Sequence, residues 1–126
     1  MRKLVLGSMA VALMVASVSA LSMPVSTFLA KAGALQKKGP LALFSGDLKL
    51  LKTEIMSDAA KLRAERLAAE GAGRRGAFCP PAGGVKLTDK DMLDAMTAVP
   101  PAQRSRTDTK DALRAYLARR HPCAAR

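Results

Sequence analysis

The chain has 126 residues and a formal net charge of +11, with two cysteines, one histidine, no tryptophan and only four aromatic residues. That length suits one well-packed domain and not two, and so few aromatic side chains leave no platform on which bases could stack, so no nucleic-acid partner is expected despite the charge. Two cysteines outside any C-x-x-C pair, with a single histidine, make a poor metal set, and neither metal nor cofactor is expected.

At the N-terminus, Arg2 and Lys3 precede a nearly unbroken apolar run from Leu4 to Val15, and Val18-Ser19-Ala20 places small residues where a signal peptidase needs them. Residues 1–20 therefore read as a signal peptide cleaved after Ala20. The competing reading is an uncleaved anchor, because Leu4 to Met23 approaches the roughly 20 apolar residues that span a bilayer. Residues 21–126 then form one exported helical domain of 106 residues with a charge of +9, since Arg2 and Lys3 leave and no acid does. Outside the cytosol, such a charge suits anionic lipid headgroups, acidic glycan or an acidic protein, or simply a solvated surface.

The apolar spacing along the chain is helical throughout. Ser26 is placed to cap a short helix carrying Phe28, Leu29, Ala32 and Leu35, which Gly39-Pro40 ends. A longer helical stretch runs from about residue 41 to 70, either continuous or restarted near Ser45-Gly46. On it Phe44, Leu48, Leu51, Ile55, Ala59 and Leu62 recur at steps of four, three, four, four and three, the repeat of one buried helix face.

Charge orders the rest of that helix. At about 100° per residue, Asp47, Glu54, Asp58 and Glu65 fall on one flank of the apolar stripe, and Lys52, Met56 and Arg63 on the other. An acidic ribbon on a basic protein has two readings. It pairs with basic residues of a neighbouring helix, with Lys61 to Glu65 as local support, or it is a strip that faces a partner, and these four acids are the candidate contact residues.

Gly71-Ala72-Gly73-Arg74-Arg75-Gly76 has the letters of a dinucleotide-binding loop, but a helix precedes it and Phe78-Cys79-Pro80-Pro81 follows. The chemistry needs a strand before and a helix N-terminus after, so the segment reads as a linker. Beyond it, Thr88 is a good N-cap with Asp89 and Asp91 in the first turn, and Met92, Leu93 and Met96 supply the inner face of a third helix stopped by Pro100-Pro101. A fourth starts near Thr107-Asp108, buries Ala112, Leu113, Tyr116 and Leu117, and ends at Pro122. The expected fold is all-α, a small bundle of about four helices.

Exported thiols oxidise, so the default for Cys79 and Cys123 is a disulfide joining the central loop to the end of the last helix, with intermolecular pairing as the competitor. No catalytic set emerges. His121 sits at a helix end between Arg120 and Pro122, and Glu54 with Asp58 could form a carboxylate pair, but nothing marks a cleft. The chain is not read as an enzyme.

The order Phe78-Cys79-Pro80-Pro81, a glycine-containing turn, a capped helix, a proline-Arg linker and a final helix from Ala112-Leu113 to His121-Pro122-Cys123 resembles the Rap/Tai-type immunity proteins of type VI secretion systems. The resemblance covers Phe78 to Cys123, and Cys79 and Cys123 carry across as structural disulfide partners. It implies a periplasmic helical protein that binds and inhibits a peptidoglycan amidase effector. Members often carry a further cysteine pair, which this chain lacks, and the stretch from Thr27 to Arg75 looks closer to uncharacterised exported proteins of Gram-negative bacteria. The alternative expectation is a housekeeping envelope protein whose basic surface meets anionic lipid or glycan.

Overall fold

A computed structural model describes residues 22–124, and the signal-peptide reading of residues 1–20 lies outside them. The described chain forms four helices: α1 Val25–Lys38, α2 Gly46–Gly71, α3 Asp89–Thr97 and α4 Thr109–Arg120. Short 3-10 turns occupy Gly39–Phe44 and Pro101–Gln103. The bundle is all-α, with α4 packed against α2 and α3, and α1 laid across the other three.

The core collects the apolar faces that the spacing marks. Phe28, Ala32 and Leu35 of α1 meet Leu51, Ile55 and Leu62 of α2, Ala95 and Met96 of α3, and Ala112, Leu113, Tyr116 and Leu117 of α4. Phe78, from the linker beside the disulfide, joins the same cluster. Among the described residues no helix is long and apolar enough to cross a membrane.

The start of α1 differs from expectation, whereas α2 takes the restart near Ser45-Gly46 that the sequence allows. Helix α1 begins at Val25 after Pro24, and no side chain caps it. Its first N–H groups are met across the fold instead, Val25 donating to the Thr107 carbonyl at 2.9 Å and Ser26 to that of Arg104 at 3.0 Å. These bonds satisfy donors that an isolated helix would leave open.

The stretch 41–70 is not one helix. Gly39 turns at φ 56°, a conformation suited to glycine, Pro40 starts a 3-10 turn, and extended Ser45 accepts the Asp47 N–H at 3.3 Å as the cap of α2. Phe44 therefore lies before α2 and outside its stripe, and it is 88% exposed.

The C-terminal half follows its local signals closely. Thr88 and Asp91 form a reciprocal capping box at α3, and Asp108 caps α4 by accepting the Asp111 N–H at 2.7 Å. Between these helices the Arg104 guanidinium donates to the carbonyls of Val99 at 2.8 Å and Thr97 at 3.0 Å, closing the end of α3. A cation at a helix C-terminus also complements its dipole.

Candidate functional site

The four acids of the α2 flank are all engaged within the fold. Asp47 pairs with Lys31 of α1 at 3.4 Å. Glu65 receives Lys110 at 2.7 Å and Arg114 at 2.9 Å, both from α4, which is the pairing with a neighbouring helix that the charge pattern allows. Those two bonds hold the Glu65 carboxyl below its ordinary range.

Glu54 and Asp58 instead hold the backbone that leads into α1. Asp58 accepts the Ser22 hydroxyl at 2.5 Å and the Thr109 hydroxyl at 2.6 Å. Glu54 accepts the Met23 N–H at 2.6 Å and lies 3.3 Å from the same Thr109 hydroxyl. A threonine hydroxyl has one proton to give, and the shorter contact marks Asp58 as its acceptor. Thr109 also donates its N–H to the Met23 carbonyl at 2.8 Å. One node thus joins α2, α4 and residues 22–23.

Asp58 and Thr109 are 0% exposed. As a contact for a partner, Asp58 is therefore corrected: it is closed inside the bundle, whereas Asp47, Glu54 and Glu65 keep some exposure. Burial pushes the Asp58 carboxyl above its ordinary 3.8, against the hydroxyls of Ser22 and Thr109, which pull it down. The carboxylate pair lies at the packed junction of α2, α4 and residues 22–23.

A second polar contact ties α3 to α4. The Tyr116 hydroxyl donates to Asp91 at 2.5 Å, and Asp91 also accepts the Thr88 N–H at 2.8 Å. Tyr116 first, then Thr88, hold this carboxyl well below the usual carboxylate range. Arg120 completes the set, donating to the Tyr116 hydroxyl at 3.1 Å.

The cysteines pair as expected. Cys79 and Cys123 form a disulfide with Cα atoms 4.8 Å apart, and Cys79 also donates its N–H to the His121 carbonyl at 2.8 Å. His121 thus ends α4 and serves the clamp through its backbone. Beside the disulfide a groove of about 650 Å³ runs between α2 and residues 78–87, lined by Arg63, Arg66, Phe78, Pro80, Val85 and Leu87 among others.

The feature that the spacing did not reveal is at the far end of α1. Leu41, Leu43 and Phe44 are 70, 75 and 88% exposed on the turn between α1 and α2, while Ala42 faces the core. Lys37 and Lys38 precede this turn and Lys49 follows it, all exposed, and Lys38 reaches over to donate to the Ser45 hydroxyl at 3.4 Å. Gly39-Pro40 directly before a Leu-x-Leu-Phe run was the available signal. Periodicity placed Phe44 in the stripe and hid it.

This arrangement defines a class by architecture: a small all-α domain with one disulfide between its central linker and its C-terminal end, and a basic surface with an apolar tip. No protein family, curated protein or solved structure matches this chain.

Proposed function

We propose that the protein is an exported binding protein without catalytic activity, an immunity-type partner that occludes a peptidoglycan amidase effector of type VI secretion in the periplasm. The reading is supported by the stiff frame of the half that resembles those proteins. The Cys79–Cys123 bridge, the Cys79 to His121 backbone bond and the Asp91 to Tyr116 bond fasten the linker, α3 and α4 to one another. A frame held this way presents its surface in one shape, which lowers the ordering cost of binding.

Affinity capture from envelope and secreted fractions at high salt tests the reading. It predicts one-to-one recovery of an exported hydrolase whose activity falls on binding, and recovery of no stoichiometric protein would overturn it.

The exposed Leu41, Leu43 and Phe44 favour a second reading, an envelope protein that rests on an anionic surface. Three large apolar side chains on one turn exceed what a freely solvated loop ordinarily shows. Such contact is weak and fades as salt rises, because exposed charges are screened over about 8 Å at physiological ionic strength.

A further inference from the structure

We propose that the turn between α1 and α2 is a docking tip for anionic lipid bilayers, with Leu41, Leu43 and Phe44 entering the headgroup region and Lys37, Lys38 and Lys49 meeting the phosphates around them. The inference rests on the second reading above and narrows it to one surface and one ligand class.

Two observations carry it, together with the general composition of interfacial anchors. The apolar side chains stand out from the fold: Leu41, Leu43 and Phe44 are exposed while the intervening Ala42 anchors the turn to the core. Their surroundings are cationic, with five lysines and one carboxylate between residues 31 and 53, and that carboxylate, Asp47, is paired with Lys31. Apolar tips within a lysine rim have the composition of interfacial anchors, which sink about 5–10 Å into the boundary of headgroups and acyl chains while their cations stay among the phosphates.

Charge also selects among occupants. A second copy would bring an equal lysine rim against the first and be repelled. An anionic bilayer supplies both halves of the complement, phosphates for the lysines and hydrocarbon for the leucines and Phe44.

The chain has no tryptophan, so Phe44→Trp places a single reporter on the tip. Ala102→Trp places one on the exposed turn between α3 and α4, whose neighbour Arg104 bonds the start of α1, at the other end of that helix. The mature chain, residues 21–126, is titrated with phosphatidylglycerol vesicles and, separately, phosphatidylcholine vesicles, after circular dichroism shows that both variants keep the helical fold. Emission at position 44 is expected to move to the blue with the anionic vesicles alone and to be quenched by brominated acyl chains, while position 102 does not respond.

In the Phe44→Trp chain, Lys37→Glu and Lys38→Glu are each expected to weaken partition by about 5-fold or more. A response equal in both lipids, equal at both positions, or absent at position 44 overturns the proposal. Stoichiometric capture of a protein that Phe44→Asp abolishes, without any vesicle response, assigns the tip to a protein and likewise overturns lipid docking. The vesicles require no effector, so failure here leaves the immunity reading standing, and failure of capture leaves this proposal standing.

Discussion

Asp58 and Thr109, the polar residues fully buried among those described, show how a carboxylate inside a basic protein is made tolerable. One hydroxyl donates to each of its oxygens, and these contacts, with that of Met23 to Glu54, fix residues 22–23 against α2 and α4. Thr109→Val keeps the volume and removes the donor, leaving a buried carboxylate short of a partner. It is expected to cost about 2 kcal/mol in urea denaturation, and a change near zero would contradict the role of the hydroxyl.

The node also has a pH signature. Unfolded Asp58 ionises near 3.8, whereas the folded protein keeps the proton to higher pH, so its contribution is fully present below 3.8 and is lost as pH rises through the folded value. Asp91 and Glu65 are lowered and act in the opposite sense, their contributions lost as pH falls. Urea denaturation of wild type and Asp58→Asn should therefore show wild type losing stability relative to the variant as pH rises from about 4 toward neutrality. A difference that does not vary with pH would rule this out.

Among the elements, the apolar stripe of α2 was legible where helix geometry alone decides it. Leu51, Ile55 and Leu62 are buried and Leu48 and Ala59 partly so, because a repeat of three and four residues puts them on one face. Phe44 continued the repeat by number but not in space, since Gly39-Pro40 sets a separate turn and Ser45 caps a new helix. Leu62→Ala should then cost about 2–5 kcal/mol, and Phe44→Ala should stay within about 0.5 kcal/mol by thermal or urea unfolding. Equal losses would put Phe44 back in the core.

The cap of α3 and the start of α4 were readable because Thr88 with Asp91, and Asp108 at the head of α4, act within one turn. The start of α1 was not, because its acceptors are carbonyls of Arg104 and Thr107, distant in sequence. The acid flank was readable as a flank. Which acid turns inward depended on the arrival of Ser22, Met23 and Thr109 from elsewhere, and no local pattern encodes that.

At the scale of the molecule, four helices share one small core, and the disulfide is expected to supply a large share of its stability. Closing a loop between positions 44 apart in sequence contributes about 4 kcal/mol in the chain-entropy description, against about 5–15 kcal/mol for a typical domain. Replacing Cys79 and Cys123 together by Ala should lower unfolding stability by about that amount, and an unchanged denaturation midpoint would show that the bridge is incidental.

The same bundle uses the acids of α2 inward and leaves its apolar tip outward. The flank of α2 fastens the helices together, and the turn between α1 and α2 is left outward among lysines. Retention on washed envelope membranes, compared for wild type, Phe44→Asp and Glu65→Gln, tests that division most directly. Loss of retention in Phe44→Asp with retention kept in Glu65→Gln is the predicted result, and retention lost in Glu65→Gln but kept in Phe44→Asp would contradict it.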